Sequence, residues 1–295
     1  MKKGEHTYIL GIESSCDETS ASVCHNGKIL SNIIAAQAIH TQYGGVVPEL
    51  ASRAHMQNIV PVVDQAMIDA GISLDQLDAI AFTSSPGLIG ALLVGTGFAK
   101  SLALSLDIPL IAVHHMQAHV LSNLIADPQP EFPFLCLTVS GGHTQIVLCK
   151  DALNMEILGE TLDDAAGEAF DKVARFLGLG HPGGPAIDRE AKLGNAKAIE
   201  FPRAMLHDGF DVSFSGLKTA VVNYVRKYPT ISTQDVAASF QTAVVDVLVA
   251  KSVKAAKHIG AKTVALGGGV AANSLLRQQM TAMCAQHGWR LVLPS

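Results

Sequence analysis

Apolar and polar positions along the first part of the chain predict two strands joined by a polar turn. Residues 8–12 are apolar, a polar run follows from Glu13, and a second strand pattern ends at Val23. Residues 134–149 repeat this order, with a turn at Ser140–Thr144 between two apolar runs. Strand patterns bounded by short polar turns are typical of β-hairpins. Two copies of the same hairpin predict a duplicated domain.

A second repeated pattern extends the duplication. The strand Ala79–Thr83, a Ser-Pro-Gly loop and the apolar helix Leu88–Leu106 lead to a strand at residues 109–113. Later, the strand Thr263–Leu266, three glycines and the helix Ala271–His287 lead to a strand at residues 290–293. Strands that alternate with helices predict parallel pairing within an α/β fold. By this symmetry we expect one more active-site segment beyond Ser295.

The first copy of this pattern ends at His115-Met-Gln-Ala-His119. We expect Leu110–Val113 to form a buried strand and the segment after it to be helical. His115 and His119 would then lie at i and i+4 on one face, the spacing that presents two imidazole nitrogens to zinc or iron. No Glu follows His115, so the general base of a His-Glu-x-x-His metalloprotease is missing. The alternative is that these histidines only cap a helix and fill its packing.

Glycine-rich turns and a row of carboxylates are the other candidates for chemistry. The turns at residues 140–142, 181–185 and 267–269 offer backbone N–H groups that can hold phosphate, and each is also compatible with a plain connection. A helix predicted over residues 161–172 would place Asp164, Glu168 and Asp171 on one face. Such carboxylates can bind ribose hydroxyls or metal-bound water, or simply form a solvated acidic face.

Charge is distributed unevenly along the 295 residues. The first 150 residues contain 6 Lys and Arg against 12 Asp and Glu, whereas the remainder contains 15 against 14. A protein that binds nucleic acid on its own is usually basic overall. If a polynucleotide is the substrate, the second half or a partner must therefore supply most of the phosphate contacts. The predicted helix at residues 232–260 has a lysine row, Lys251, Lys254 and Lys257, that we expect on its outward face.

Cysteine usage and hydropathy predict a cytoplasmic protein. The five cysteines contain no Cys-x-x-Cys pair, which favours reduced thiols. The apolar run that begins at Tyr8 is interrupted by Glu13, unlike a signal peptide. The longest apolar stretch, Leu88–Leu106, carries Lys100 and three glycines. A buried helix explains that stretch better than a membrane span, so no membrane association is expected.

Taken together, the ordered motifs closely resemble the tRNA N6-adenosine threonylcarbamoyltransferase family, once called O-sialoglycoprotein endopeptidases. The matching segments cover essentially the whole chain and are Gly11–Thr19, Tyr43–Arg53, Ser85–Leu88, His115–His119, Val139–Thr144, Asp163–Lys172, Pro182–Pro185, Phe214–Lys218 and Gly267–Asn273. The resemblance implies an α/β, duplicated actin/Hsp70/sugar-kinase-like (ASKHA) fold with the ligand site in the interdomain cleft. Residues 1–130 would form the N-terminal subdomain with the metal-binding histidines, and residues 131–295 the nucleotide-binding subdomain, with its last segment missing.

The resemblance also implies a site. The metal ligands would be His115 and His119, with a third ligand, an Asp, beyond Ser295, and iron(II) is favoured over zinc. The nucleotide contacts would be Thr138, Val139, Ser140, Gly141, Gly142, Asp171, Gly184, Asp188 and Asn273. Glu13, Asp17 and Glu18 are candidates for proton transfer.

The activity that the resemblance implies is transfer of the threonylcarbamoyl group of threonylcarbamoyl-AMP to N6 of adenosine 37 in tRNAs that read ANN codons. The expected partners are tRNA, a non-catalytic paralogue and a small ATPase. Three other functional classes are open. The first is an actin-like ATPase or sugar kinase of the same fold. The second is a scaffold paralogue, which would be expected to lack the histidine pair, and the third is a metalloprotease, which the missing Glu disfavours.

Overall fold

The computed structural model describes residues 6–43, 45–125 and 128–293, which divide into two compact units. The first unit ends at Ala118 and the second begins at His119, so the boundary lies within a helix, α3 (His115–Leu121). The sequence placed the boundary after residue 130. It lies earlier because Val120 packs in a buried cluster with Phe134 and Cys136 of the second unit.

The first unit is built on a mixed sheet with the strand order β3-β2-β1-β4-β5. Its strands are β1 (Tyr8–Glu13), β2 (Glu18–His25), β3 (Lys28–Ala36), β4 (Ala79–Ser85) and β5 (Leu110–His114). β1, β2 and β3 run antiparallel, whereas β4 and β5 run parallel to β1. The turn between β2 and β3 is Asn26-Gly27, both with positive φ (49° and 82°), which suits a two-residue hairpin.

Two long helices pack with this sheet. α1 (Pro48–Ala70) begins with a proline at its first turn and ends at Gly71, whose φ of 68° terminates the helix in the left-handed conformation. α2 (Ile89–Leu106) turns a face of small residues inward, including Ala91, Gly95 and Ala99. That face allows α2 to approach α1 and β4 closely, and Leu10, Val23 and Ile80 fill the core beneath.

The second unit repeats the topology of the first. Its strands are β6 (Phe134–Val139), β7 (Thr144–Cys149), β8 (Met155–Glu160), β9 (Thr263–Gly267) and β10 (Arg290–Val292), in the order β10-β9-β6-β7-β8. β6, β7 and β8 run antiparallel, and β9 and β10 run parallel to β6. Each strand thus has a counterpart in the first sheet, which confirms the predicted duplication.

The helices of the second unit are α4 (Ala166–Phe176), α5 (Gly183–Ala191), α6 (Ser215–Lys227), α7 (Thr233–Ile259) and α8 (Ser274–His287). α7 is the core helix: Ser232 caps its N-terminus by accepting a hydrogen bond from Asp235 N (3.3 Å), and Gly260, with φ of 63°, ends it. Phe240 on α7 packs edge-to-face against Phe170 on α4.

The structure corrects three local predictions. β5 is the edge strand, so Leu110–Val113 are half-buried or exposed rather than buried. α4 begins at Ala166, so Asp164 precedes the helix instead of sharing a face with Glu168 and Asp171. Lys251 does not face solvent: it is fully buried, and its Nζ donates to the carbonyls of Asp208 and Gly209.

Two helices in the described part of the chain are long and apolar enough to cross a membrane by length and composition alone. In α7, 78% of the apolar 18-residue stretch is buried inside the protein, as expected of a core helix. In α2 only 28% is buried, so the prediction of a buried helix holds for one face of α2 and fails for the other.

Candidate functional site

In the first unit, polar side chains meet at the carboxyl ends of three parallel strands. Glu13 ends β1, Thr83 lies near the end of β4, and His115 follows β5. Glu13 Oε2 accepts from Thr83 Oγ1 at 2.6 Å and lies 3.1 Å from His115 Nδ1, and Ser15 Oγ lies 3.3 Å from the same nitrogen. Because parallel strands end together at one sheet edge, side chains distant in sequence converge there.

These contacts, together with burial, shift the pKa values of two of the predicted proton acceptors, Glu13 and Glu18. Burial raises the pKa of Glu13, but hydrogen bonds from His115, Ser15 and Thr83, with the charge of His115, bring it down to about 2. Glu13 is therefore a fixed carboxylate and a weak proton acceptor at neutral pH. Burial, with the charges of Asp17 and Glu13, raises the pKa of Glu18. The pKa of Glu18 is thus shifted towards neutrality.

The two histidines predicted as metal ligands lie on one short helix. α3 carries His115 and His119 one turn apart, as predicted. His115 Nδ1 faces the Glu13 carboxylate, so Nε2 is the nitrogen that would bind a metal, which is the usual arrangement of a histidine ligand oriented by a carboxylate. No group of three or more His, Cys, Asp or Glu placed to hold a metal occurs among residues 6–43, 45–125 and 128–293.

The second unit contains a pocket of about 490 Å³, a volume in the usual range for small-molecule sites. We call it the α5 pocket, because it opens where α5 begins. It is lined by Gly141, Gly167, Phe170, Asp171, Pro182, Gly184, Pro185, Asp188, Arg189, Lys192, Gly269, Val270, Ala272 and Asn273. Five of the predicted nucleotide contacts are among them: Gly141, Asp171, Gly184, Asp188 and Asn273.

The polar residues among these five also hold the pocket together. Asp171 Oδ1 accepts from Gly183 N at 2.7 Å, at the start of α5. Asp188 accepts from Ser274 Oγ at 2.7 Å, at the start of α8. Asn273 caps α8 by accepting from Leu276 N at 3.0 Å, and its amide donates to Gln241 on α7 at 2.8 Å. They therefore fix the helix termini that form the pocket.

The remaining predicted contacts lie beside the pocket. Thr138 and Val139 are buried in β6, within the sheet. Ser140 closes the following turn, because its Oγ accepts from His143 N at 3.1 Å. Gly142 has no atom within 4 Å of the position that a Cβ would occupy, so this turn is open towards solvent or ligand.

The sequence analysis did not identify two basic side chains that line the pocket. Arg189 and Lys192 line the pocket, and Lys192 Nζ lies 3.2 Å from Asp188 Oδ2. The signal was present, since both follow Asp188 on one helix, at i+1 and i+4. Placing α5 after the glycine-rich turn would have identified them.

The Asp163 carboxylate caps the N-terminus of α6. It accepts from Phe214 N at 2.8 Å, from Ser215 N at 3.2 Å and from Ser213 Oγ at 2.5 Å, at the start of α6. Burial opposes its ionisation, but these hydrogen bonds lower its pKa. The adjacent Asp164 pairs with Lys218 at 2.7 Å and with Lys172 at 2.9 Å.

We therefore expect Asp163→Ala to reduce the free energy of unfolding by about 1 kcal/mol at pH 7, as for loss of a helix cap. Because the folded-state pKa is below the unfolded one, this stabilisation is complete above the unfolded pKa of about 4 and is lost as pH falls through the folded pKa. Urea unfolding of both proteins between pH 3 and pH 7 measures the difference. A difference that is constant over this range would contradict the assignment.

Comparison with known proteins identifies the family. Residues 28–295 match the family model described as TsaD, tRNA N6-adenosine threonylcarbamoyltransferase. This chain belongs to that family. Proteins named tRNA N6-adenosine threonylcarbamoyltransferase from Riemerella anatipestifer and Clostridium perfringens are 51% and 54% identical to it. The alignments cover 98% and 97% of this chain and 88% and 87% of those relatives.

Solved structures support the fold expected of a threonylcarbamoyltransferase-family chain. HypF of T. kodakarensis superposes with a TM-score of 0.66 at 17% identity, over 99% of this chain and 45% of HypF. Component A of (R)-2-hydroxyglutaryl-CoA dehydratase from Acidaminococcus fermentans gives 0.56 at 16% identity, over 97% of this chain and 91% of that one. The predicted ASKHA-type α/β fold is confirmed.

Proposed function

We propose that this protein transfers the threonylcarbamoyl group of threonylcarbamoyl-AMP to N6 of adenosine 37 in tRNAs that read ANN codons. Family membership over most of the chain, with relatives that bear this activity in their names, supports the reaction. The α5 pocket supports the adenylate as donor. It combines the start of α5, which favours an anion, with glycines that let a ligand approach the backbone closely.

The glycines of the pocket are the observation that carries this proposal. At Gly141, Gly184 and Gly269 an added Cβ would meet nothing within 4 Å, so the fold itself does not require glycine there. All three line the α5 pocket. By contrast, a Cβ on the neighbouring Gly167 would collide with the Ser140 carbonyl. Open glycines around one pocket are explained if a bound nucleotide occupies the space that their side chains would take.

A divalent cation held by His115 and His119 is the second part of the proposal. Iron(II) is favoured over zinc on the family resemblance, and imidazole suits both. When bound, such a cation polarises a carbonyl oxygen as a Lewis acid. The chain's own residues prepare the site: Glu13 and Ser15 orient the His115 ring. Glu18, at the start of β2, would accept the proton that N6 loses as it attacks and AMP leaves.

The test of the proposed function is transfer of labelled threonine into tRNA. The protein is combined with ATP, bicarbonate, tRNA and the partners of the pathway, and omission of this subunit is the control. Label on adenosine 37 that depends on this subunit is the expected result. If the adenylate forms and no label reaches tRNA, the transferase proposal is wrong. ATP hydrolysis without tRNA would then favour the ATPase class.

The expected assembly is with tRNA, a non-catalytic paralogue and a small ATPase, in the cytoplasm and without a membrane. The exposed face of α2 suits the paralogue, because it is apolar at Ile89, Leu93 and Leu104, the last of which is 84% exposed. Between α1 and α2 runs a groove of about 310 Å³ lined mainly by apolar residues, Val60 and Phe98 among them. A paralogue of the same fold would offer a similar helix pair, and the two could pack as pseudo-symmetric halves.

We expect Leu93→Glu to weaken binding of the paralogue at least about tenfold, because a charge would be buried in an apolar interface. Leu153→Glu is the matched control, since Leu153 is also exposed but lies outside this face. Both variants should unfold at the same temperature as the wild type. Calorimetric titration with the purified paralogue measures the affinities, and equal weakening by both variants would rule out the α2 face.

A further inference from the structure

The segment Glu13–Glu18, here called the Glu13 loop, decides how His115 is oriented. Its carboxylate at Glu13 and its hydroxyl at Ser15 both contact His115 Nδ1, at 3.1 and 3.3 Å. A shift of the loop backbone would move both groups together. What holds the backbone of this loop therefore also holds the imidazole ring.

Hydrogen bonds hold the loop from two sides. On one side the Ser15 carbonyl accepts from Leu88 N at 2.8 Å, and a Cβ on Gly87 would collide with that carbonyl. On the other side the Cys16 carbonyl accepts from the Nε2 of His55, on α1, at 3.0 Å. A carbonyl oxygen only accepts, so the hydrogen of this bond must be on His55 Nε2.

His55 is in turn completely enclosed. Both His55 and Thr19 have no exposed surface, and His55 Nδ1 lies 2.7 Å from the Thr19 hydroxyl. With the hydrogen on Nε2, Nδ1 accepts from Thr19, so both ring nitrogens are satisfied. Beside it, Gln37 N donates to the Asp17 carbonyl at 3.2 Å, and the buried Gln37 side chain is bonded to His40 at 2.8 Å.

We infer that His55 is a positioning residue for the metal-site histidine. Its hydrogen bond to the Cys16 carbonyl keeps the Glu13 loop where Glu13 and Ser15 orient His115. The orientation of the His115 ring follows from contacts within the first unit alone. The effect of that orientation on metal binding and on transfer rests on the proposed function. In the described part of the chain the hydrogen bonds of His55 go to Thr19 and to the Cys16 carbonyl, so we assign its effect on His115 to the loop.

The test compares His55→Leu with His55→Gln and with Ile59→Ala. The glutamine amide can still donate to the Cys16 carbonyl, whereas leucine cannot. Ile59 is a buried residue one turn further along α1, so its truncation costs stability without touching the loop. Nitrogen-15 NMR of the His115 ring in the metal-free protein reports its hydrogen bonding. Chelator competition with iron(II) reports affinity, and steady-state transfer gives kcat and KM.

We expect His55→Leu to shift the His115 Nδ1 resonance, to weaken iron(II) affinity about tenfold and to lower kcat with an unchanged KM for tRNA. His55→Gln should restore affinity to within about threefold of the wild type, and Ile59→Ala should change neither resonance nor affinity. If His55→Leu does not fold, Thr19→Val, which removes only the hydroxyl partner of His55, should shift the same resonance in the same direction.

Two outcomes would overturn the inference: an unchanged His115 resonance in both His55→Leu and Thr19→Val, or an equal shift in Ile59→Ala. Its failure is distinguishable from failure of the proposed metal site. If the resonance shifts but the wild type binds no iron, the positioning role stands and the metal proposal fails. If iron binds through His115 and His55→Leu changes nothing, the positioning role fails and the metal proposal stands.

Discussion

Replacing His115 with alanine is expected to abolish tight binding of the divalent cation and to lower threonylcarbamoyl transfer at least about 100-fold. A Lewis acid contributes several kcal/mol to stabilisation of a transition state, and about 1.4 kcal/mol corresponds to a factor of ten. His119→Ala should have the same effect, because α3 presents the two imidazoles one turn apart. Metal content of the purified variants and transfer into tRNA are the two measurements.

The neighbouring His114 provides the matched control. It ends β5 and is exposed, so His114→Ala removes an imidazole without touching the Glu13 loop. We expect this variant to retain metal and activity. Undiminished transfer in a His115→Ala or His119→Ala variant that has lost its metal would eliminate the cation from the proposal, whereas wild-type metal content in both variants would eliminate the histidine pair as its ligands. Dialysis against a chelator followed by return of iron(II) or zinc would identify which metal restores transfer.

Glu13→Gln separates the orienting carboxylate from the ligand itself. An amide can retain one contact with His115 but loses the charge, and loss of such a supporting partner typically costs about 10–100-fold in metal affinity. Because Glu13 acts through His115, adding Glu13→Gln to His115→Ala should cause little further loss of transfer. Independent, multiplicative losses would indicate that Glu13 has a separate catalytic role.

The duplication could be predicted from the sequence because each half repeats the same hairpin and the same strand-helix-strand unit. The histidine spacing on α3 was also readable, since it depends only on local helical geometry. The identity of the residue that pairs with His115 could not be predicted from the sequence. Glu13 and His115 are 102 positions apart and meet only because β1 and β5 end at the same sheet edge.

The failures have a common physical cause, which is that tertiary contacts override local pattern. Helical periodicity places Lys251 outward, but the segment around Asp208 and Gly209 covers that face and bonds the ammonium through its carbonyls. Asp163 and Asp164 suit the first turn of a helix by composition, yet both are engaged by groups about 50 residues later, at the start of α6. The sequence of the predicted helix at residues 161–172 alone does not indicate these contacts with α6.

Glycines give the sharpest example of what the sequence leaves open. Gly183 and Gly184 are adjacent, and the sequence does not distinguish their roles, but their surroundings in the structure differ. A Cβ on Gly183 would lie 2.6 Å from Asp171 Cα and 2.7 Å from the Phe170 carbonyl oxygen. Both are backbone atoms, so the clash cannot be relieved by rotation of a side chain. A Cβ on Gly184, which lines the α5 pocket, would meet nothing within 4 Å.

We therefore expect opposite results from the two positions. Gly183→Ala should lower the free energy of unfolding by about 1–3 kcal/mol through overpacking, and adenylate binding should be lost only as far as the fold is lost. Gly184→Leu should leave stability unchanged or slightly higher, because leucine is the better helix former. It should nevertheless weaken binding of a non-hydrolysable adenylate analogue at least about 100-fold, because the side chain occupies the pocket.

Thermal unfolding and calorimetric titration of the analogue, run on the same preparations, distinguish the two effects. Gly216→Leu is the control for leucine placed in the first turn of a helix, since Gly216 lies near the start of α6 with nothing within 4 Å of its Cβ position and lines no part of the pocket. Wild-type affinity in Gly184→Leu would place the adenylate elsewhere. Weak binding in Gly184→Leu with unchanged stability would assign the α5 pocket to the nucleotide, because no change in folding could account for it.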